Sequence, residues 1–509
     1  MSGLPGPQEM QQFFLLSPEM LLSAAGLLLL LVGTMGRGFR NLEAAFVSIF
    51  SLVLTGGILV VVHTRVGWGR ELILGGSFVI DGFAFFWKIL ILVATILTVL
   101  ISYRFIEEGS YRATEFYSLI LLATAGMMFM ASGYTLLTIW IGLETMALAS
   151  YILAGYFKRE VRSNEAALKY FILGALSSGI MLYGMSLLYG ATRYIQLGDL
   201  AGALSEGGAG NSVLVPLGWI LMLAGLFFKV AAVPFHIWTP DVYVGAPTPI
   251  TAWLAVASKG ASFAILVRIL YEGLWPVSVD WQWIVALVAS ASMIWGNLAA
   301  LTQDNVKRLL AYSSIANAGY VLIGVLAGPS TESKMGLQAV LFYLLAYTFV
   351  TLGAFGTVIL LERREYAGET TADYAGLAKR SPFLAAMMLL FLLALTGIPL
   401  TGGFVGKLYL FAAAIEAGWT WVAVIGVITS AISLYYYFRI VVFMYQRDST
   451  VTTPIALRSP ALVAVIAFCA LLTVLLGVVP APFLDMAERS LASSGLLKEP
   501  AATATQLVP

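Results

Sequence analysis

Apolar residues fill this chain in long runs, which short polar connections separate, from about residue 19 to residue 480. A helix needs about 20 mostly apolar residues to cross the hydrocarbon core of a bilayer. Fourteen runs reach roughly this length and predict an all-α polytopic membrane protein. Their expected spans are 19–35, 43–62, 82–103, 115–131, 134–156, 166–190, 215–235, 248–271, 281–302, 308–328, 335–361, 382–416, 419–445 and 459–480.

Two of the predicted helices contain breaks. Helix 7 is interrupted at Val233-Pro-Phe-His236 and helix 12 at Gly397-Ile-Pro-Leu-Thr-Gly-Gly403. Proline removes a backbone hydrogen bond, and the carbonyls that it frees must face protein or water rather than lipid. Breaks that lie five helices apart predict two inverted five-helix repeats, helices 4–8 and helices 9–13.

These features predict a single integral membrane domain over residues 1–509, because no connection is long enough to hold a soluble domain. It is divided into N-terminal helices 1–3 (1–114), a first repeat (115–271), a second repeat (281–445) and a C-terminal helix (459–480). The first apolar run lacks the basic segment of a secretory signal, so we expect it to remain as a membrane helix.

The composition agrees with a lipid-embedded protein and limits its chemistry. Hydrophobic residues make up 60% of the 509 residues and charged residues 11%, against about 25% charged residues in soluble domains. The net charge of +1 does not favour nucleic acid as a partner. One cysteine, Cys469, and two histidines are too few for a disulfide framework, an iron–sulfur cluster, a cysteine-based zinc site or a haem-binding bundle.

The loop charges predict the orientation. Basic residues concentrate in cytoplasmic loops. The connections that follow odd-numbered helices hold fifteen: Arg37, Arg40, Arg104, Arg112, Lys158, Arg159, Arg162, Lys307, Arg308, Arg363, Arg364, Lys379, Arg380, Arg447 and Arg458. The other side, with both tails, holds six: Arg65, Arg70, Arg193, Lys334, Arg489 and Lys498. Both termini are therefore expected in the periplasm.

Four charged residues fall near the middle of predicted helices: Glu144, Lys229, Lys259 and Lys407. A charge at mid-bilayer costs at least ~2.5–3.5 kcal/mol on insertion scales, so it usually has a function. Lys169 lies at an intermediate depth. The remaining basic residues within helices are nearer the helix ends, where a long side chain can reach the headgroups, and we interpret them as anchors; they are Lys88, Arg268 and Arg439.

One deep acid and several deep lysines favour a proton relay, because such coupled groups can exchange protons when their surroundings move. A buried Glu144–Lys229 ion pair that only holds helices together is the alternative. His236 lies seven residues after Lys229, on the same face if the helix resumes, and can carry protons near neutral pH. It is equally compatible with a structural hydrogen bond to the carbonyls that Pro234 frees.

Two long motifs resemble a known family. They are Lys229-Val-Ala-Ala-Val-Pro-Phe-His-Ile-Trp-Thr-Pro-Asp-Val-Tyr-Val-Gly-Ala-Pro-Thr-Pro249 and Asn305-Val-Lys-Arg-Leu-Leu-Ala-Tyr-Ser-Ser-Ile-Ala-Asn-Ala-Gly-Tyr320. Both are similar to the core of the antiporter-like subunits of complex I and of Mrp-type cation/proton antiporters, over about helices 4–13. The residues of the first motif, together with Ala-Ser-Lys259, resemble those of the N-type subunits of bacterial NADH-quinone oxidoreductase. M-type subunits have a similar length.

The resemblance implies a function and a set of residues. It implies proton translocation driven by NADH-to-quinone electron transfer in other subunits, in a bacterial cytoplasmic membrane. The residues that it implies for this path are Glu144, Lys169, Lys229, Lys259 and Lys407, with His236 as a further relay group. It also implies that this chain binds no cofactor, that NADH, flavin, iron–sulfur clusters and quinone belong to other subunits, and that its partners are neighbouring membrane subunits.

Three alternatives remain open at this point. An Mrp-type sodium/proton antiporter subunit would share the fold and the lysines, but sodium would favour additional deep acids, and Glu144 is the only clear one in the sequence. A membrane subunit of an energy-converting hydrogenase-like complex is a second possibility. A purely structural scaffold is a third, which deep lysines without matching carboxylates argue against.

Overall fold

A computed structural model describes residues 7–35, 39–109, 111–205, 212–328, 335–362, 368–449, 459–492 and 494–496. Within these ranges the chain is helical except for connections and one short hairpin. Twelve helices are long and apolar enough to cross a membrane, and two shorter apolar helices accompany them. The fourteen predicted membrane helices are all present once the broken helices 7 and 12 are each counted as one.

The membrane helices keep the numbers of the predicted spans. Helices 1–6 are Ser17–Thr34, Asn41–Val66, Gly82–Gly109, Ala113–Ser132, Leu136–Ala154 and Val161–Thr192. Helix 7 has two halves, Leu214–Val230 and Trp238–Gly245, and is followed by helix 8 (Thr248–Gly273), helix 9 (Ser278–Leu301), helix 10 (Val306–Ala327) and helix 11 (Met335–Leu361). Helix 12 has the halves Pro382–Thr396 and Gly402–Glu416, before helix 13 (Thr420–Gln446) and helix 14 (Pro460–Val478).

Both predicted breaks are confirmed. The first half of helix 7 ends where Ala231 takes a left-handed backbone with φ of 62°, and residues 231–237 are not helical. The first half of helix 12 ends at Gly397, with φ of 92°, and Leu400 is also left-handed. Since the backbone between Lys229 and His236 is irregular, the helical spacing that we expected to place them on one face does not apply.

The connections lie alternately at two faces, as the charge count requires. The face that carries most of the basic loops, here called the basic face, joins the loops 302–305 and 368–381. Val306 donates its N–H to the Glu369 carbonyl at 2.8 Å, and Arg162 pairs with the Glu369 side chain at 3.1 Å. The other face, called the opposite face, joins the loops after helices 2, 4 and 6: Tyr134 N–H bonds to Ser77 O at 2.9 Å.

Four elements at the opposite face lie outside the predicted spans. The helix Pro7–Leu15 precedes helix 1, and its Gln12 side chain accepts a hydrogen bond from Leu74 N–H at 3.1 Å. Strands β1 (Glu71–Ile73) and β2 (Phe78–Ile80) form an antiparallel hairpin. A short helix, Leu197–Ser205, precedes helix 7. An amphipathic helix, Ala481–Ala492, follows helix 14 and packs against helices 3 and 11. These elements cover the ends of the membrane helices at this face.

Helices 8, 10 and 11 form the centre of the molecule. Their membrane-length stretches are 100%, 94% and 100% buried, against 28% for helix 1 and 39% for helix 2. Helix 8 contains two π-helical turns, Leu254–Ser258 and Ile269–Gly273. Such turns are rare and occur often at functional sites. The first π-turn ends directly before Lys259, so the backbone is irregular where the deepest charge of this helix is held.

Candidate functional site: a buried lysine axis

Lys229 is the first buried cation of the site and lies among aromatic rings. It belongs to the last turn of the first half of helix 7, where the negative end of the helix dipole favours a cation. Its Nζ donates to the Tyr151 hydroxyl at 3.3 Å and lies 5.6 Å from the centre of that ring and 5.9 Å from that of Phe228. Tyr151 is in turn packed edge-on against Tyr170. This site holds the cation with oxygen and aromatic faces rather than with a carboxylate.

Glu144 lies near Lys229 but does not pair with it directly. Its carboxylate accepts a hydrogen bond from Ser178 on helix 6. In the described part of the chain no ion pair joins it to Lys229, whose hydrogen bond goes to Tyr151 instead. Ser177, the neighbour of Ser178, donates to the Gly225 carbonyl at 3.4 Å, about one turn before Lys229. Helix 6 thus bonds both to Glu144 and to the half of helix 7 that carries Lys229, and the direct ion pair of the structural alternative is not formed among the described residues.

Lys259 is the central cation. It is 4% exposed, on helix 8, and donates to two oxygens of Ser314 on helix 10, the carbonyl at 2.8 Å and the hydroxyl at 2.5 Å. The Ser314 hydroxyl also lies 3.4 Å from that of Tyr243. Neutral oxygens are the only hydrogen-bond partners of Lys259 among the described residues. A lysine held this way can lose its proton without leaving an unpaired carboxylate.

Lys407 is the third buried cation and is held by the break in helix 12. It lies on the second half of that helix and donates to the Leu395 and Thr396 carbonyls, at 2.8 Å and 3.0 Å, in the last turn of the first half. A third bond goes to Ser430 Oγ at 2.9 Å, and the Tyr320 ring centre is 4.6 Å away. The carbonyls that end a helix are free to accept such bonds, so the break itself provides the lysine's oxygens.

A stripe of polar side chains on helix 10 connects the last two lysines. Ser313, Asn317 and Tyr320 follow one another at helical spacing along one face of this helix. The amide of Asn317 donates to the Ser313 carbonyl at 2.8 Å, and Tyr343 donates to the Asn317 side chain. The stripe starts beside Ser314, which holds Lys259.

The stripe continues onto helices 9 and 13. Asn297 donates to the Tyr320 hydroxyl at 3.1 Å, and Tyr320 donates to Thr429 at 3.3 Å. Tyr436 donates to the other end of the Asn297 amide at 3.0 Å. Thr429 is the neighbour of Ser430, which bonds to Lys407. Buried hydroxyls and amides thus run from Lys259 to Lys407, and we call Lys229, Lys259, Lys407 and these groups the lysine axis.

Sequence reasoning missed the polar members of the axis, although a signal was present. Helices 9, 10 and 13 are apolar, so a polar residue every three or four positions marks a face that avoids lipid. The residues that this signal could have identified are Asn297, Ser313, Ser314, Asn317, Tyr320, Thr429 and Ser430. Tyr151, which contacts Lys229, carried no such signal, because it sits alone at the end of helix 5.

Lys169 differs from the axis lysines. Its side chain is 42% exposed, and it pairs with Glu165 and Asp241, both at 2.7 Å. Asp241 also pairs with Arg308 at 3.2 Å. Lys169 therefore belongs to an ion network toward the basic face, beside the second half of helix 7, and is not buried with Lys229.

His236 lies in the break of helix 7, half-buried, with its ring centre 6.2 Å from that of Trp295. Trp295 is 53% exposed, so the histidine sits toward the outer surface of the bundle. Its Nδ1 atom is buried and has no hydrogen-bond partner among the described atoms. The arrangement leaves a titratable nitrogen free but does not place it in contact with Lys229 or Lys259.

The anchoring interpretation is wrong for Lys88 and Arg268. Lys88 is 2% exposed and pairs with Glu19 at 2.5 Å, and Arg268 is fully buried between Asp81 and Glu272. Their partners Glu19, Asp81 and Glu272 are buried acids, but they lie at helix ends, whereas Glu144 lies near the middle of helix 5. The sequence could not show these pairs, because the partners come from helices far apart in the chain. Each of these additional acids is matched by a cation.

Arg439 agrees better with an anchoring role. Its side chain is 23% exposed, 3.7 Å from Asp304, and it donates to the carbonyls of Leu301 and Gln303. In the described residues, no group of three or more His, Cys, Asp and Glu side chains could hold a metal ion.

Comparison with known proteins identifies the family. The model of the NADH:quinone oxidoreductase/Mrp antiporter membrane family matches residues 133–433, which include Glu144, Lys229, Lys259 and Lys407. Subunit N of NADH-quinone oxidoreductase from Trichlorobacter lovleyi is 42% identical over 93% of this chain and 96% of its own. Subunit N 2 from Rhizobium meliloti is 44% identical over the same shares. The chain belongs to the subunit N family of NADH-quinone oxidoreductases.

Solved structures of respiratory complexes and antiporters share the fold of this chain. A chain of respiratory complex I from Thermus thermophilus is 34% identical, with a TM-score of 0.76 over 92% of this chain and 98% of its own. A chain of the Mrp complex from Dietzia sp. DQ12-45-1b has a TM-score of 0.82 over 96% of this chain and 98% of its own, at 24% identity. This likeness extends to the fold alone. The chain is a proton-translocating, antiporter-like membrane subunit of complex I.

Proposed function

We propose that the lysine axis is the path along which this subunit moves protons. A proton enters from the basic face to Lys229, passes to Lys259, follows the polar stripe of helix 10 to Lys407 and leaves at the opposite face. The observation that carries this proposal is the set of three buried lysines held by neutral groups. A purely structural cation in this environment would need a carboxylate to offset its desolvation.

Each step has a group that suits it. Glu144, half-buried and bonded to Ser178, changes the field at Lys229 when its own surroundings change. Lys169, in its network with Glu165 and Asp241, supplies protons from the basic face. No direct side-chain hydrogen bond joins Lys229 to Lys259 among the described residues, so this step needs water or side-chain movement. His236, with one free nitrogen, is the proposed relay group there.

The proposed setting is a bacterial cytoplasmic membrane, with the basic face in the cytoplasm and both termini in the periplasm. Neighbouring membrane subunits of the complex cover part of the lateral surface, and lipid covers the rest. Electron transfer from NADH through flavin and iron–sulfur clusters to quinone takes place in other subunits, and this chain binds none of these groups. An Mrp-type antiporter subunit has weaker support, since that likeness extends to the fold alone.

The first test replaces Lys229 by alanine in the complete complex. We expect NADH-driven acidification of inside-out vesicles to collapse, because the first proton site of the axis is lost. NADH oxidation should collapse with it, because electron transfer in the other subunits is coupled to proton pumping. Lys307→Gln is the matched control. Lys307 is also a buried lysine, 7% exposed, but it pairs with Glu362 at 3.1 Å and lies off the axis.

The control should keep most of both activities. If the Lys229→Ala complex assembles and pumps at the wild-type rate, the lysine is structural and the proposed path is wrong.

A further inference from the structure

Two arginines stand at the same distance from the lysine axis on two different helices. Arg268 follows Lys259 by nine residues on helix 8, and Arg439 follows Ser430 by nine residues on helix 13 (268 − 259 and 439 − 430). Nine residues of α-helix rise about 13.5 Å. Each arginine therefore lies about two and a half turns beyond a residue of the axis, since Lys259 bonds to Ser314 and Ser430 bonds to Lys407.

The two arginines lie at opposite faces of the bundle. Helix 9 starts beside the end of helix 8 that carries Arg268, and its Trp281 indole donates to the Leu274 carbonyl at 3.0 Å. Helix 9 ends at Leu301, whose carbonyl accepts a bond from Arg439 at 3.2 Å. This helix has 24 residues, which is about 36 Å and enough to cross a bilayer. Arg268 is thus at the opposite face and Arg439 at the basic face.

Arg268 is locked into a charge-balanced cluster. One guanidinium bonds to both oxygens of Asp81 at 3.0 Å and 3.1 Å, to Glu272 at 2.6 Å and to the Ala131 carbonyl at 3.4 Å. The second oxygen of Glu272 is held by Arg70, which also donates to the Ser494 carbonyl at 2.7 Å. Two arginines and two carboxylates therefore close this end of the first repeat, beside the hairpin and the segment that follows the amphipathic helix Ala481–Ala492.

The chemistry of this cluster suits a barrier rather than a relay. A guanidinium keeps its proton in proteins, so it cannot pass one on as a lysine can. Both oxygens of Asp81 and both oxygens of Glu272 are held by guanidinium groups, so neither carboxylate is free to accept a passing proton. Between Lys259 and Arg268, helix 8 carries mostly apolar side chains, and Phe263, Ile265 and Leu266 are fully buried. On helix 8, an apolar layer followed by the ion cluster of Arg268 therefore separates Lys259 from the opposite face.

Arg439, on helix 13 of the second repeat, has the position that corresponds to Arg268 on helix 8 of the first repeat. Its guanidinium covers the carbonyls at the end of helix 9 and lies between helix 13 and the loop that contains Gln303 and Asp304. It is partly exposed, but it is fixed by these three partners. It therefore stands between Ser430, on the axis, and the basic face.

We propose that Arg268 and Arg439 are fixed proton barriers. They close opposite ends of the two repeats, which are the first repeat (115–271) and the second repeat (281–445). Arg268 closes the first repeat toward the opposite face, and Arg439 closes the second repeat toward the basic face. A proton that reaches Lys229 from the basic face can then leave only by travelling along the axis to Lys407. This inference rests on the proposed path, and it adds what stops protons from crossing either half alone.

The test measures passive proton leak through the complete complex. A gradient is imposed on inside-out vesicles by a rapid change of the external pH in the absence of NADH, and its decay is followed with a pH-sensitive dye trapped inside the vesicles. We expect Arg268→Gln and Arg439→Gln to speed the decay several-fold per assembled complex. Arg268→Lys and Arg439→Lys, which keep a cation, should leak less than the glutamine variants.

A second arm ties the leak to the path. Adding Lys229→Ala to Arg268→Gln should slow the decay again, because the leak would run through Lys229. If Lys229→Ala alone leaves pumping intact, the proposed path fails, whereas the leak of the arginine variants still decides whether they are barriers.

The matched control is the double variant Glu19→Gln/Lys88→Gln. It removes an ion pair that is as buried as that of Arg268 but does not touch the axis. We expect a wild-type decay from it. Wild-type decays from both assembled glutamine variants, or an equal leak from the control, would show that the arginines only hold helices together and would overturn the proposal. Arg268 is fully buried, so Arg268→Gln can fail to assemble. Arg439 is partly exposed, so Arg439→Gln should assemble and still tests the proposal.

Discussion

At the scale of single residues, the buried lysines are held by neutral oxygens, which come from neighbouring helices and, for Lys407, also from the break in helix 12. Tyr320 contributes in two ways, since its ring lies under the Lys407 ammonium and its hydroxyl joins Asn297 to Thr429. Tyr320→Phe keeps the ring and removes the hydroxyl. A lost buried hydrogen bond costs about 1 kcal/mol, which a large membrane protein tolerates, but the polar stripe would be interrupted. We expect slower NADH-driven pumping with normal assembly.

The control for this change is Tyr271→Phe. Tyr271 is equally buried, and its hydroxyl donates to the Val325 carbonyl at 2.6 Å, away from the axis. Initial rates of vesicle acidification, divided by the amount of assembled complex, compare the two variants. Equal rates would mean that the Tyr320 hydroxyl contributes packing only, and the stripe would then have to carry protons without it.

Charged residues of the site were predictable, whereas their partners were not. Lys229, Lys259 and Lys407 stand out in the sequence because each interrupts an apolar run. Lys407 takes two carbonyls from the break in its own helix, but the hydroxyls of Tyr151, Ser314 and Ser430 come from other helices. Their identity depends on packing that the order of residues does not reveal. Arg268 shows the consequence: its partner Asp81 is 187 positions away, and without that partner its position near a helix end predicts a headgroup anchor.

At the scale of helices, the break in helix 12 creates the Lys407 site. Gly397 ends the first half in a left-handed conformation, and a Cβ at this position would lie 3.1 Å from Cδ of Lys407. Gly397→Ala should therefore strain the backbone by roughly 1–2 kcal/mol and press on the lysine. We expect a lower thermal midpoint for loss of intact complex on native gels, together with weaker pumping.

Gly57→Ala is the comparison, since Gly57 lies within helix 2 and a Cβ there would meet nothing within 4 Å. This variant should match the wild type in both measurements. Should Gly397→Ala match it as well, the break would not depend on this glycine, and the site of Lys407 would be set by Leu400 and the rest of the loop.

The helices themselves followed from the sequence far better than the short elements did. Long apolar runs predict membrane helices because the bilayer requires internal backbone hydrogen bonds, and the prolines marked both breaks. The hairpin β1–β2 has only three residues per strand, which is too short to show an alternating pattern in the sequence. It is stabilised by the pairing of the two strands and by its glycine-rich turn. The irregular backbone of residues 231–237 likewise removed the helical register that had been assumed for His236.

At the scale of the whole molecule, the direction of transport depends on which face is cytoplasmic. The hydrogen bonds between loops confirm that the chain alternates between two faces, and the bias of basic residues predicts that the basic face is inside. The proposed entry at Lys229, the exit at Lys407 and the two arginine barriers all reverse if this orientation reverses. Sidedness is therefore the property on which the mechanism as a whole depends.

Single cysteines at two exposed loop positions can measure it. Lys158→Cys lies at the basic face and Arg193→Cys at the opposite face, and both positions are exposed. The native Cys469 is fully buried, so the unchanged chain is its own control and should not react with a membrane-impermeant maleimide. We expect the reagent to label Arg193→Cys in intact spheroplasts and Lys158→Cys only in inside-out vesicles, because each thiol meets water on one side alone. The reverse pattern would place the basic face outside and invert the proposed direction of proton movement.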